Sequence, residues 1–214
     1  MKVRLLLGAL AAALVVLAVA QLVLPALAER KLRDDLAAQG RVLDADVSAF
    51  PAVKLLAGRA DRVKVRMAEA RFAGGELADL LDRARAAGEL DARIDVMRVG
   101  PLLVRDLRLD KQGDRLHSEA AVSDADLRAA LPADLGLRPV AGGGDGLTLE
   151  ASAFGFAVRA RLSVRDGALV IAPEGLLGGF ATVTLFQDPR VRVTEVGARA
   201  HAGGFTMTAD AQLD

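Results

Sequence analysis

Residues 90–96 read LDARIDV, and apolar and charged side chains alternate along them without a break. Leu90, Ala92, Ile94 and Val96 alternate with two aspartates and one arginine. Successive side chains of a β-strand point to opposite faces of the sheet. The stretch therefore predicts a strand with one buried face and one solvated face.

The same alternation recurs on either side of this strand. It predicts strands at residues 63–67, 107–110 and 116–122, with a polar turn at 111–114 between the last two. Turn residues near the C-terminus predict two hairpins, 156–164 with 168–172 around Asp166-Gly167, and 191–202 with 205–213 around Gly203-Gly204. The chain is therefore expected to be mainly antiparallel β-sheet.

Helices are expected at fewer places. Residues 26–39 and 76–87 carry apolar side chains at helical spacing, each before a glycine that would end the helix. A short helix is predicted to begin at Ser123, a good N-cap residue followed by acidic residues, and to end at Pro132. Many strands with a few helices place the chain in the α+β class.

The N-terminal segment predicts where the protein is located. Residues 5–28 form a run of 24 residues without a charge. As a helix this run is about 36 Å long, enough to cross a hydrocarbon core of about 30 Å. It predicts that residues 1–28 are either a signal peptide, cleaved after Ala20 or Ala28, or a retained transmembrane anchor. We expect residues 29–214 to form one extracytoplasmic domain in the cell envelope, membrane-anchored or secreted.

The composition excludes several classes of function. The 214 residues include no cysteine, which excludes a disulfide scaffold, a thiolate metal site and a cysteine nucleophile. Twenty-eight basic residues balance 28 acidic ones, which argues against nucleic acid as a partner. Tryptophan and tyrosine are absent, so seven phenylalanines are the only aromatic residues. Aliphatic burial must supply most of the stability, at about 25 cal/mol per Å² of apolar surface.

Residues with catalytic potential are sparse. His117 and His201 are the only histidines, and no serine lies in a Gly-x-Ser-x-Gly context. No group of residues has the short spacing of a zinc site, so neither a metal nor a cofactor is expected. Asp44 and Asp46 would share one face of a strand and leave acid–base chemistry open as an alternative.

One segment departs from the overall neutrality. Between residues 54 and 71 six basic residues stand against two acidic ones, a local charge of +4. Each basic residue near an anionic membrane surface contributes about 1 kcal/mol of attraction. The segment is interpreted either as a solvated strand face or as a contact for anionic headgroups. The candidate headgroup contacts are Lys54, Arg59, Arg62, Lys64 and Arg66.

Four sequence motifs follow one another in an informative order. They are Phe50-Pro51-x-x-x-Leu55-Leu56-Ala57-Gly58-Arg59-x-Asp61-x-Val63-x-Val65, Ser123-x-Ala125-Asp126-Leu127-x-x-Ala130-Leu131, Arg161-Leu162-Ser163-Val164-Arg165-Asp166-Gly167-x-Leu169-Val170, and Val191-x-Val193-Thr194-x-Val196 followed by Gly204-x-Thr206-Met207-x-Ala209. In this order they resemble the LmeA-like phospholipid-binding proteins of actinobacterial cell envelopes. The resemblance runs from about residue 27 to residue 214.

The resemblance implies a non-enzymatic phospholipid-binding protein that works at a membrane surface. The prototype of the family is linked to mannan elongation on membrane-anchored lipoglycans. The fold implied is an elongated, curved antiparallel sheet around a helix, similar to tubular lipid-binding domains, with an N-terminal apolar helix. Neither a metal nor nucleic acid is implied as a partner.

A curved sheet that encloses acyl chains needs bulky apolar side chains on its concave face. The candidate lipid-binding residues are Phe50, Leu55, Leu56, Phe72, Phe154, Phe156, Phe180, Phe186 and Phe205. Two other classes of function stay open at this point. One is an envelope hydrolase that acts on glycolipids through Asp44 and Asp46, and the other is a structural assembly factor.

Overall fold

The computed structural model of the protein describes residues 2–72, 74–99, 102–130, 136–140, 148–153, 156–173 and 182–213. Its helices are α1 (Lys2–Ala37), a 3₁₀ helix (Ala52–Ala57), α2 (Gly74–Ala84) and α3 (Asp124–Ala130). The side chains of α1 are described from Val19 onward. Over the described residues, no helix is both long enough and apolar enough to cross a membrane.

Most of the described chain is β-strand. The strands are β1 (Gly40–Ser48), β2 (Ala60–Phe72), β3 (Ala87–Val99), β4 (Leu102–Gln112), β5 (Arg115–Ser123), β6 (Gly136–Val140), β7 (Thr148–Ala153), β8 (Phe156–Arg165), β9 (Ala168–Pro173), β10 (Val183–Phe186), β11 (Val191–His201) and β12 (Gly204–Leu213). They form a seven-stranded sheet in the order β1-β2-β3-β4-β5-β12-β11 and a five-stranded sheet in the order β10-β9-β8-β7-β6.

The strand pairs confirm a mainly antiparallel α+β fold. The exception to the antiparallel pairing is β2 with β3, which run parallel and are joined through α2. A parallel connection requires a crossover, because the chain must return to the same end of the sheet before the next strand begins. The crossover helix α2 therefore lies over one face of the sheet.

One face of the large sheet is mainly apolar, and the other carries most of its charged side chains. In register, Val63 of β2 pairs with Leu90 of β3, and Leu90 pairs with Lys111 of β4. Leu36 of α1 is buried with Met67, which is 1% exposed, in the main hydrophobic cluster. Leu32 of α1 and Leu80 of α2 pack against the same cluster, so both helices cover the apolar face of this sheet.

A smaller cluster joins the two sheets. Leu162 of β8 is buried with Val196 of β11 and Phe205 of β12. The backbone N–H of Val193 also donates to the carbonyl oxygen of Gly167 at 2.9 Å. The five-stranded sheet is therefore attached to β11 and β12 of the large sheet.

The strands predicted around residues 63–67, 90–96, 107–110 and 116–122 are confirmed, and so is the hairpin at Asp166-Gly167. Both of these turn residues have positive φ, 53° and 77°. The N-cap of α3 is also confirmed, because the backbone N–H of Asp126 donates to the Ser123 hydroxyl at 3.0 Å. Pro132 and the glycine-rich loop at 141–146 lie outside the described residues.

Four predicted boundaries are wrong. The helix predicted at 26–39 ends at Ala37, and the glycine expected to end it, Gly40, begins β1. The turn expected at 111–114 is only Gly113-Asp114, because β4 continues through residue 112 and Gly113 supplies the positive φ of 59°. Helix α2 ends at Ala84, and the glycine expected to end it, Gly88, belongs to β3. The last hairpin turns at residues 202–203, since Gly204 already pairs with His201.

Candidate functional site

The described part of the molecule contains a cavity of about 520 Å³ between the helices and the large sheet. Its walls come from α1, the 3₁₀ helix, α2 and strands β1 to β4. Pockets for small-molecule ligands have volumes of roughly 300 to 1,000 Å³ and are lined mostly by apolar side chains. The cavity is therefore large enough to hold part of an amphiphile.

Helix α1 supplies one wall. Leu24, Ala28, Leu32 and Leu36 line the cavity at intervals of four residues. This spacing places them on one stripe of an α-helix, which has 3.6 residues per turn. The cavity wall therefore continues the apolar character of the N-terminal run into the folded domain.

The strands supply the opposite wall through every second residue. Val65 of β2, Ala92 of β3 and Leu109 of β4 line the cavity and follow one another in register across the sheet. Their chain neighbours are charged and point away from it, as the alternation of a strand requires. The amphipathic pattern that predicted the strands therefore also defines the cavity wall.

The 3₁₀ helix is held against α1 by one side chain. The Gln21 amide donates to the carbonyl oxygen of Ala49 at 3.0 Å and accepts from the backbone N–H of Ala52 at 2.8 Å. These bonds place Leu55 and Leu56, which line the cavity, beside α1. Gln21, a polar residue within an apolar run, therefore links the two cavity walls formed by α1 and the 3₁₀ helix.

Helix α2 closes a further side and is tied to the loop before β11. Leu80, which lines the cavity, lies on the same helix as Asp79 and Asp82. The Arg190 guanidinium lies 3.6 Å from Asp79 and 3.7 Å from Asp82, and it donates to Asp188 at 2.9 Å. Hydrogen bonds from Arg190 lower the pKa of Asp188 to about 2.

Charged residues line the same cavity beside its aliphatic walls. Lys31, Asp35, Arg59 and Arg83 are all exposed, and each belongs to the cavity lining. We call these four residues the charged rim. Its three cations and one carboxylate give it a net positive charge. An apolar interior with a cationic rim is suited to an amphiphile with an anionic headgroup.

The structure divides the predicted headgroup residues. Arg59 lines the cavity, and Lys54 lies in an ion pair with Asp61 at 2.9 Å. Hydrogen bonds from the Lys54 side chain and from the backbone N–H of Phe50 lower the pKa of Asp61. Of these five predicted residues, Arg59 is therefore the one that the structure places at the cavity.

The other three predicted headgroup residues lie on β2, where strand alternation determines the face that each one occupies. Arg62 pairs with Glu89 at 2.7 Å, and this hydrogen-bonded pair raises the pKa of Arg62. Lys64 and Arg66 are exposed on the face opposite to that of Val63 and Val65, which line the cavity. Their role in headgroup binding stays a prediction.

The predicted lipid-binding residues are also dispersed. Leu55, Leu56 and Phe72 line the cavity. Phe205 lies in the cluster between the sheets, Phe186 packs beside Val191 and Leu213, and Phe50 is 76% exposed. Phe156 begins β8, and the remaining two, Phe154 and Phe180, lie outside the described residues.

The candidate catalytic carboxylates lie away from the cavity. Asp44 and Asp46 are exposed on β1, whereas Val47, on the other face of this strand, lines the cavity. The Asp44 carboxylate is 3.9 Å from Arg33. Within the described residues, no group of histidine and acidic side chains is arranged to hold a metal ion.

A buried lysine lies on the same side of the sheet as the cavity. Lys111, expected in a polar turn, is 3% exposed because it pairs in register with Leu90 on the inward face. Its Nζ donates to the carbonyl oxygen of Ala87, and burial lowers its pKa while Asp114 opposes that shift. Lys111 continues the two-residue period of Leu107 and Leu109, but the polar sequence that follows it is typical of a turn.

Several cavity residues were missed as ligand contacts, although their pattern was recognised. Leu80, Leu90, Ile94 and Leu107 line the cavity, whereas their sequence pattern predicts only ordinary strand or helix core. Their apolar alternation marked them as inward-facing, but it could not show that a cavity lies beneath them. Lys31 was missed because no local pattern distinguishes it from other basic residues that follow the apolar run.

Comparison with known proteins leads to one family. No curated protein and no solved structure matches this chain. The model of the LmeA-like phospholipid-binding family matches residues 16–210 of the 214. The match covers almost the whole chain, including α1 from residue 16 and the strands that the structure describes, the last of them, β12, as far as residue 210. The chain therefore belongs to the LmeA-like phospholipid-binding family.

Proposed function

We propose that this protein is a non-enzymatic phospholipid-binding protein of the cell envelope that holds acyl chains in the cavity between α1 and the large sheet. The observation that carries the proposal is the cavity of about 520 Å³, with aliphatic walls from α1 and β2 to β4. Burying apolar chains in such a space removes them from water at about 25 cal/mol per Å². No chemical step is needed for this function.

The polar part of a phospholipid would meet the charged rim. Lys31, Arg59 and Arg83 provide three cationic groups whose N–H bonds can donate to phosphate oxygens, and charge-assisted hydrogen bonds of this kind are the stronger ones. Asp35 stands among them and provides an acceptor for a hydroxyl or ammonium group. The rim is thus compatible with a headgroup that carries phosphate beside a second polar group.

The position of α1 supports the proposal that the domain is similar to tubular lipid-binding domains, with a curved sheet around a helix. Leu32 and Leu36 of α1 pack on the sheet cluster that contains Met67 and Ile94. A helix against the apolar face of a sheet leaves space for acyl chains where its side chains are short, as at Ala28. The apolar run at residues 5–28 supports an extracytoplasmic location, and a role in lipoglycan or envelope lipid biogenesis is part of the proposal.

Single tryptophans test the proposal, because the natural chain has neither tryptophan nor tyrosine. Leu109→Trp places the indole in the cavity wall, and Arg108→Trp places it on the opposite face of the same strand. Phospholipid with brominated acyl chains should quench the emission of the first variant and leave the second unchanged. Equal emission from both variants would contradict acyl-chain binding in this cavity.

Native mass spectrometry of the purified chain provides an independent measurement. We expect phospholipid to remain bound after purification and to be released by organic solvent. A chain that carries no lipid when isolated from its own membranes, and takes none up from vesicles, would argue against the proposal.

A further inference from the structure

Exposed bulky hydrophobic side chains are concentrated on α1 and around the 3₁₀ helix. Among the described side chains, eight large hydrophobic residues are strongly exposed, and all except Leu43 lie on α1, on the 3₁₀ helix or just before it. Leu22, Phe50 and Leu56 are the most exposed, at 79%, 76% and 72%. Patches of this kind on a folded surface mark contact with a partner or with a membrane.

These side chains form one surface. The Gln21 side chain bonds to the backbone of Ala49 and Ala52, which brings the 3₁₀ helix against α1. The exposed residues of the two helices are therefore neighbours in space and not only in sequence. We call this surface the apolar rim and define it as Leu22, Leu27, Phe50, Val53 and Leu56.

The apolar rim is continuous with the cavity. Leu27 and Leu56 are exposed, at 53% and 72%, and both also line the cavity. Lys31, one turn beyond Leu27 on α1, and Arg59, close after Leu56, are cations at the same opening. The surface therefore passes from exposed apolar side chains, beside positive charge, into an apolar interior.

We propose that the apolar rim inserts into the interfacial region of a lipid bilayer, with Lys31 and Arg59 facing anionic headgroups. This inference rests on the proposed function, since it identifies the surface through which the cavity receives its phospholipid. Apolar side chains beside basic residues are the combination that binds anionic membrane interfaces. In this orientation an acyl chain enters the cavity without being exposed to water.

The charges favour a bilayer over a second copy of the chain. Two identical rims packed on each other would bring together surfaces of the same sign, and like charges across an interface are unfavourable. A membrane with anionic lipids presents the opposite sign. The bilayer is therefore the occupant that complements both the apolar and the charged parts of this surface.

Tryptophan substitutions in the full chain measure the insertion directly. Phe50→Trp and Val53→Trp keep a bulky exposed side chain, and neither residue lines the cavity. Leu43→Trp is the matched control, because Leu43 is 49% exposed and lies next to Asp44, which contacts Arg33. Arg33 is twelve residues beyond Gln21 on α1, about 18 Å along the helix.

The probe is a vesicle of phosphatidylcholine and phosphatidylglycerol, with or without bromine on the acyl chains. We expect brominated vesicles to reduce the emission of both rim variants by about twofold or more, and their emission maxima to shift to the blue. The emission of Leu43→Trp should stay unchanged.

Two results would overturn the inference. One is equal emission of Phe50→Trp in brominated and plain vesicles, and the other is a blue shift that depends on protein concentration without vesicles, which indicates a second copy. The Leu109→Trp variant separates this inference from the proposed function. If Leu109→Trp is quenched and Phe50→Trp is not, the protein binds lipid in the cavity but does not dock through the apolar rim. If Phe50→Trp is quenched and Leu109→Trp is not, the apolar rim docks on the bilayer but the cavity holds no acyl chain.

Discussion

The backbone N–H of Ala52 donates to the Gln21 side-chain oxygen at 2.8 Å, so the first described helix and the 3₁₀ helix share a bond across 31 residues of sequence. Ala52 is fully buried, and a buried N–H without a partner destabilises a fold by about 1 to 3 kcal/mol. The Gln21 side chain therefore holds the 3₁₀ helix against α1 where both helices line the cavity.

We expect Gln21→Leu to lower the free energy of unfolding by about 1 to 3 kcal/mol, because the substitution leaves the Ala52 N–H unpaired. The measurement is chemical denaturation of the full chain in detergent. Gln112→Leu is the matched control, since Gln112 is exposed at the end of β4. An equal effect of both substitutions would contradict a specific role of the Gln21 bridge.

Removal of residues 21–28 should impair the cavity, whereas removal of residues 1–20 should not. A chain that begins at Glu29 lacks Gln21, Leu24 and Leu27, and we expect its free energy of unfolding to fall by about 2 kcal/mol or more. A chain that begins at Gln21 keeps all three. Thermal unfolding of the two chains, with lipid content by mass spectrometry, compares them.

The same reasoning predicts the natural N-terminus. Intact mass of the mature protein should show that residues 21–28 are retained, because they form part of the cavity wall. A mature chain that begins at Glu29 and binds phospholipid as well as the longer chain would contradict this prediction.

The three cations of the charged rim should determine which phospholipid headgroup is bound. We expect Lys31→Gln, Arg59→Gln and Arg83→Gln together to weaken binding of anionic phospholipid about tenfold, and to change binding of diacylglycerol with the same acyl chains much less. The control with the same charge change is Lys64→Gln, Arg66→Gln and Arg108→Gln on the opposite face of the sheet. Equal losses in both triple variants would indicate general attraction to anionic lipid.

Lys111 should lower the stability of the protein at neutral pH. Its pKa is lowered by burial, so between the lowered pKa and the unfolded value of 10.5 the unfolded chain binds more protons than the folded chain. The free energy of unfolding must then rise with pH in that window.

We therefore expect Lys111→Met to be at least as stable as the natural chain at neutral pH and to lose this rise between neutral pH and about pH 10. Lys111→Ala should be less stable than Lys111→Met by about 2 kcal/mol, because it leaves a cavity. Denaturant unfolding across this pH range measures both effects. A parallel pH dependence in the natural chain and Lys111→Met would contradict the assignment.

The Asp188–Arg190 pair should make the stability depend on acid, and the contacts of Arg190 with Asp79 and Asp82 should hold α2 in place. The pKa of Asp188 is lowered from 3.8 to about 2, so its contribution to stability is present above pH 3.8 and is lost as the pH falls toward 2. We expect Asp188→Asn to abolish this part of the acid dependence, and Arg190→Gln to increase hydrogen exchange in α2. Unchanged exchange at residues 74–84 would show that Arg190 does not hold this helix.

The strands of the large sheet were predictable because the signal for them is local. Leu90, Ala92 and Ile94 alternate with charged residues, and the two-residue period of a strand converts that pattern into a buried and a solvated face. The turn at Asp166-Gly167 was predictable for a similar reason, since residues that accept positive φ define a tight hairpin.

The candidate site was only partly predictable. The charge pattern predicts one basic surface at 54–71, but alternation along β2 places Lys64 and Arg66 on the face opposite to the cavity, whereas Arg59 precedes the strand and lines the cavity. The phenylalanines were favoured for their size, yet the described cavity is lined mainly by aliphatic residues such as Leu90 and Leu109. Size alone cannot show which apolar side chains face an empty space.

The family, the class of fold and the inward-facing residues of β2 to β4 were predictable without the structure, because motif order and alternation are properties of the chain alone. The local patterns do not contain the cavity that separates Leu24 and Leu32 of α1 from Val65 and Leu109 of the sheet. These relations depend on strand register and on the α2 crossover between two parallel strands. Contacts between residues far apart in sequence arise from packing, and no local pattern records them.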